Sequence, residues 1–199
     1  TELYVNFTFL EELPAGIGKL INLRKLHLWN ITFEPSNLLP PQISQLSNLR
    51  ELFICGHKTR FLPPEIGELC NLTELTMMGT HLDELSPEIG RLKKLEKLRI
   101  TGCNFSVIPE EIGKLTNLRK LRVVNTPVKE LPHVLGELIN LEELDIHSLQ
   151  LEILPAEIVG LPKLKMLTIS KRDYPRLRSS VDGLPDSVKL DLMPSRWDP

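Results

Sequence analysis

The stretch LRKLRVVNTPVKELPHVLGELIN, residues 118–140, decides the fold. Leu118, Leu121 and Val123 follow the order LxxLxL, and the alternation around Leu121 and Val123 predicts a short strand with one buried face. Thr126 and Val128 turn the chain inward again, and Leu131 begins the return. Pro132 donates no amide hydrogen and suits the bend that follows. Leu135 and Leu138, three residues apart, fit a 3-10 or short helical turn on the outer side. Gly136 permits a tight turn there, and Asn140 leads into the next strand.

The same pattern returns through almost the whole chain. Its LPxxIGxL half opens at Leu13, Leu39, Leu62, Leu85, Ile108, Leu131 and Leu154, with steps of 26 and then 23 five times. The strand half recurs at Leu23, Leu26, Leu28; at Leu49, Leu52, Ile54; and onward to Leu164, Leu167, Ile169. A constant period of this length predicts a solenoid in which each unit contacts its neighbours. Ordering one 23-residue unit costs about 35 kcal/mol at roughly 1.5 per residue. A lone unit leaves both flat faces wet, so several must stack. Eight rungs spaced roughly 4.8 Å apart predict a concave face about 35 Å long.

These residues resemble the leucine-rich-repeat proteins, over about residues 3–192. The resemblance implies a leucine-rich-repeat solenoid of the α/β horseshoe type. Its parallel concave sheet would be backed by short 3-10 or helical turns and loops on the convex side. The LPxxIGxL half is similar to Ras-group and Scribble-like scaffolds and to the receptor arm of plant intracellular nucleotide-binding immune receptors. In scaffolds the ninth repeat position is usually Asn, which forms a side-chain ladder. Here it reads Ile31, His57, Thr80, Cys103, Thr126, Leu149 and Arg172, and the Thr and Cys are similar to the plant variant. A regular ladder at that position is not expected.

The expected organisation is a single domain over 1–199 with about seven to eight repeats. Residues 1–13 read as a truncated first repeat, since Leu3 and Val5 place the start of the chain inside a strand, as in a fragment of a longer solenoid. Residues 177–199, with Ser187 replacing a strand Leu and Trp197 following, read as a degenerate capping repeat. The three extra residues of the first spacing point to a loop near Glu34-Pro35-Ser36-Asn37.

Composition narrows the function. The chain has 199 residues, 41% hydrophobic, 25% charged and 5% aromatic, with a formal charge of −2. That charge supplies no electrostatic reason to expect nucleic acid or an anionic membrane as partner. No apolar run reaches the roughly 18 residues that span a bilayer, and no signal-peptide pattern opens the chain. Cys55, Cys70 and Cys103 lack paired spacing, which with the absence of a cysteine cap points to a reducing, cytoplasmic setting. Four sequons, at Asn6, Asn30, Asn71 and Asn104, oppose this; without a secretion signal they read as chance matches.

Candidate binding residues are the side chains between the inward leucines. One column reads His27, Phe53, Thr76, Arg99, Arg122, Asp145, Thr168. The next reads Trp29, Cys55, Met78, Thr101, Val124, His147, Ser170. Trp29, Phe53 and Met78 form an apolar zone. Lys97, Arg99, Arg119, Lys120 and Arg122 form a basic one, with Glu142, Glu143 and Asp145 beside it. Exposed aromatics next to arginine are typical interface anchors, so Trp29, Phe53, Met78, Arg99, Arg122 and Asp145 are the expected partner-binding residues. The competing reading is that the aromatics cover the first rungs and that the neighbouring charges compensate one another.

Nothing in the pattern calls for catalysis, a cofactor or a metal. His27 and His147 are five rungs apart, roughly 24 Å, too far to share an ion. Gly18-Lys19 and Gly113-Lys114 lack the Ser or Thr of a phosphate loop. The chain reads as a protein-recognition module, with no enzymatic activity of its own. By the resemblance it is the sensing or autoinhibitory arm of an intracellular immune receptor; the alternatives are a free-standing adaptor or scaffold, or the substrate-recognition domain of a bacterial effector.

Overall fold

The computed structural model describes residues 1–6, 13–29, 39–56 and 59–194. Ile31, His57, Trp197 and the expected loop at Glu34-Pro35-Ser36-Asn37 lie outside them. Among the described residues, nine strands form one parallel sheet in strictly sequential order: β1 (Glu2–Asn6), β2 (Lys25–Trp29), β3 (Glu51–Cys55), β4 (Glu74–Met78), β5 (Lys97–Thr101), β6 (Lys120–Val124), β7 (Glu143–Asp145), β8 (Met166–Ser170) and β9 (Lys189–Met193). That is one strand more than the eight rungs expected, and the sheet runs about 38 Å at the usual strand spacing.

The return limb follows from three-residue spacing. In the rung before β6, Ile112 N–H donates to Pro109 O, Leu115 N–H to Ile112 O, and Leu118 N–H to Leu115 O, at 2.8–3.1 Å. Three consecutive i to i+3 steps bring the side chains of Ile112, Leu115 and Leu118 to one side. All three are buried, as are Leu121 and Val123 on the strand beyond. The prolines before the turns sit at φ near −65° with extended ψ, which suits their fixed ring geometry. Repeated copies of this limb merge into one continuous aliphatic core from Leu13 to Val181.

Glycine in the turns has a different role from the one its sequence position suggests. A Cβ built on Gly67, Gly90, Gly113 or Gly136 would lie 2.8, 2.6, 2.8 or 2.7 Å from atoms of the following turn. Gly136 is therefore required by close approach of the next coil, not by a tight backbone turn. Left-handed backbone occurs elsewhere, beyond the ends of β3 to β7. Gly56, Gly79, Gly102, Asn125 and Ser148 all have φ between 55° and 74°, a region that Gly and Asn enter most readily.

An asparagine ladder exists, but not at the ninth repeat position. Asn48, Asn71, Asn117 and Asn140 each donate from Nδ2 to a carbonyl of the preceding rung, respectively Ile21, Ser47, Lys93 and Thr116, at 2.7–2.9 Å. At the ninth position, Thr80 Oγ1 lies 3.0 Å from Cys103 Sγ, while the buried Thr126 hydroxyl has no partner among the described residues. The C-terminal copy departs from the others. Its outer limb is an α-helix, α1 (Tyr174–Val181), that buries Leu177 and Val181.

Two stability measurements check this packing. Gly90→Ala should lower stability by about 2 kcal/mol in urea unfolding, in the range for overpacking. Gly16→Ala, where a Cβ meets nothing within 4 Å, should not lower it. Thr126→Val removes an unpartnered buried hydroxyl at nearly constant volume and should raise stability by about 1 kcal/mol, whereas the same change at Thr80 removes a hydrogen bond and should not.

Candidate concave binding site

Register places the two predicted columns side by side on the open face of the sheet. Partners run His27, Phe53, Thr76, Arg99, Arg122, Asp145, Thr168 in one row and Trp29, Cys55, Met78, Thr101, Val124 in the next. Every strand stays in step, including across the longer 26-residue step from β2 to β3, so one side chain per rung recurs at each height. The rows are not wet along their whole length. Val124 is fully buried at the end of β6, and Thr168 and Ser170 are buried on β8, Ser170 Oγ accepting the Ser148 N–H at 2.6 Å.

The N-terminal end carries a packed aromatic cluster. Trp29 and Phe53 rings lie 4.3 Å apart, His27 is 5.4 Å from Phe53, and Tyr4 meets His27 edge-on at 4.8 Å. His27 Nε2 also lies 2.9 Å from Glu51 Oε1. Tyr4 was not read into a column from the sequence, although its place between Leu3 and Val5 carried the signal, and His27 headed one column without being among the expected partner-binding residues. Trp29 and Phe53 are half-buried against each other, whereas Tyr4 is 56% and Met78 39% exposed. Met78 stands two rungs from Trp29, with half-buried Cys55 between them.

The charges beyond Met78 are largely paired across strands. Lys97 bridges to Glu74 at 2.5 Å, Lys120 to Glu143 at 2.6 Å and Arg122 to Asp145 at 3.1 Å. Glu142 takes both Arg119 and Lys165. Its hydrogen bond from Lys165, aided by the attraction of that cation, holds the Glu142 carboxyl below the usual range. A carboxylate shifted down stabilises the fold at neutral pH, and that contribution is lost as pH falls through its lowered value. Asp145 also accepts from His147 Nδ1 at 2.6 Å.

Arg99 is different. It is exposed and stands opposite Arg122, and its side chain forms no ion pair or hydrogen bond among the described residues. Like charges directly opposite in a sheet oppose folding, and Arg122 is offset by Asp145 while Arg99 has no such partner. A shallow cavity of about 390 Å³ opens there, between Met78, Arg99, Thr101, Arg122 and Asp145. Thus Met78, Arg99, Arg122 and Asp145 border one concavity, and Trp29 and Phe53 form a separate cluster toward the N-terminal end of the same face. Among the described residues no group of three or more His, Cys, Asp or Glu is placed to hold a metal ion. No helix there is long and apolar enough to cross a membrane.

A family model for leucine-rich repeat regions matches residues 3–107. The chain belongs to this family. Leucine-rich-repeat domains are typically non-enzymatic modules for protein–protein interaction. No curated protein matches this chain. Among solved structures it is similar to a leucine-rich-repeat protein of Leptospira interrogans at 29% identity and a TM-score of 0.75, over 96% of this chain and 53% of that one. It thus spans about half the length of that relative. Internalin C2 from Listeria monocytogenes shares the fold at 21% identity and a TM-score of 0.75, over 96% of this chain and 80% of that one. So does the leucine-rich-repeat ectodomain of the plant membrane receptor kinase GASSHO1/SCHENGEN3 from Arabidopsis thaliana, solved in complex with Casparian strip integrity factor 2. Its identity is 22% and its TM-score 0.71, over 92% of this chain and 25% of that one.

The three cysteines of this repeat domain occupy three environments: Cys70 exposed, Cys55 half-buried and Cys103 buried. Burial pushes the Cys103 thiol above its ordinary range, only partly opposed by Thr80, and the thiolate is the reactive form. With a thiol-specific disulfide reagent at pH 8, Cys70 should react at once and Cys103 only after denaturation. Prompt reaction of all three would contradict the packing described.

Proposed function

We propose that this leucine-rich-repeat domain binds a partner protein through its concave face, across Trp29, Phe53, Met78, Arg99, Arg122 and Asp145. The observation that carries the reading is Arg99, a cation left without a carboxylate on a face where its neighbours are paired. Beside it lie an exposed thioether and, further along the face, a pair of stacked aromatics. Arginine and aromatic side chains are the usual anchors of protein interfaces because they combine large contact area with directional polar groups. Arg122 and Asp145 serve the site as an internally balanced pair that flanks Arg99.

The finer reading is the sensing or autoinhibitory arm of an intracellular immune receptor. It is supported by Thr80 and Cys103 at the ninth repeat position, where their mutual contact replaces the usual asparagine. A cytoplasmic location is supported by the three free thiols. It is further supported by Asn71, a sequon asparagine whose side chain is engaged in the inter-rung ladder and by Lys94. The bound factor of the Arabidopsis ectodomain supports this fold as a framework for protein ligands. No catalytic role is assigned to this chain.

Partner recovery by the domain as bait tests the site, with photocrosslinkers at Thr76 and Thr101 reporting contact. Arg99→Glu should weaken recovery by about tenfold or more, in the range of interface hot spots. Arg122→Glu adds repulsion with Asp145, so its folded state is checked by circular dichroism. Trp29→Ala with Phe53→Ala should have an effect similar to Arg99→Glu. Unchanged recovery by these folded variants, or no crosslinking from Thr76 and Thr101, would reject the concave site.

A further inference from the structure

A large cavity lies away from the concave face. About 900 Å³ of open volume lies on the flank, where three successive returns, at 107–110, 130–133 and 153–157, face the C-terminal half of α1. Val107 and Ile153 stand at its mouth, 70% and 62% exposed, the two most exposed large apolar side chains described. Leu131, Pro132 and Pro155 contribute to its lining, and Ser179 and Ser180 bring hydroxyls from α1. Apolar side chains held in water beside a concavity mark interaction surfaces.

Its charge has one sign. Glu110, Glu130 and Glu157 line it, and no Lys or Arg does. Glu110 has only His133 near it, at 3.9 Å. Glu130 and Glu157 form no ion pair among the described residues, in contrast to the carboxylates of the concave face. The residue before each returning leucine also alternates along five rungs: Phe61, Glu84, Val107, Glu130, Ile153. Apolar and acidic positions therefore follow one another at single-rung steps.

We infer that this flank is a second docking surface, for a cationic amphipathic helix of a partner protein. Val107 and Ile153 are two rungs apart, about 9.6 Å at the usual strand spacing. Apolar residues at i and i+7 of an α-helix are about 10.5 Å apart along its axis, so two turns match two rungs. Lysine or arginine flanking the apolar stripe meets Glu130 between those contacts and Glu110 and Glu157 at the edges. Such a helix-in-groove mode needs a preformed apolar trough with complementary rim charges. This surface is separate from the concave site and does not rest on it.

The probe is a short synthetic helical peptide of leucine and lysine, fluorescein-labelled, with leucines on one face; its counterpart carries glutamate for lysine. Fluorescence anisotropy on the whole chain should show saturable binding of the lysine peptide only. Ile153→Glu, and separately Glu130→Lys with Glu157→Lys, should each weaken it by about tenfold, and all three positions are exposed, so folding is retained. Arg99→Glu should leave affinity unchanged, and amide shifts on adding peptide should concentrate in 107–110, 130–133 and 153–157. No binding, equal binding of both peptides, or binding lost with Arg99→Glu but indifferent to the flank substitutions would overturn the inference.

Discussion

Close contact between consecutive coils is the constraint on which the structure depends. Gly67, Gly90, Gly113 and Gly136 leave no room for a Cβ because the next turn already occupies that space. The same step brings Asn48, Asn71, Asn117 and Asn140 into reach of a carbonyl one rung back. It also brings aliphatic side chains of neighbouring coils into a shared core. Insertion or loss of one residue in a turn would break all three contacts at once. This is why the 23-residue period tolerates little variation through the middle of the chain.

Much of this was legible in the amino-acid order. Because parallel strands pair in step, the columns read from Leu26 to Leu167 are the register rows of the sheet, and Arg99 opposite Arg122 was readable without coordinates. Cross-strand charge compensation was also foreseeable, since glutamates and lysines fall at the same height. Other features were hidden because they depend on contacts between rungs at other heights. Asn140 reads only as the residue that leads into the next strand until the carbonyl of Thr116 is seen beside it. Gly136 looks like a turn residue until Glu157 is placed against it. The helix α1 begins with Tyr174-Pro175, where proline occupies an early helical position, but the leucine spacing alone did not separate it from a 3-10 limb.

Function follows from what such a solenoid leaves unbalanced. The aliphatic interior repeats from rung to rung, so individuality lies mainly in side chains that project from the strands and the flank. On the concave side most charges from β2 to β7 are paired across strands, and Arg99 is not. The aromatic cluster of Tyr4, His27, Phe53 and Trp29 adds a hydrophobic end to the same face. On the flank the imbalance has the opposite sign, with unpaired carboxylates around exposed Val107 and Ile153. One scaffold thereby presents two surfaces of unlike chemistry, both set by the same repeat.

Cross-strand nuclear Overhauser effects in the isotopically labelled protein test the in-step stacking most directly. Backbone contacts between Arg99 and its partners Thr76 and Arg122, and between Arg122 and Asp145, are the predicted result. Contacts shifted by one residue would turn Arg99 into the core, and their absence would mean that the coils do not nest; either result would contradict the account.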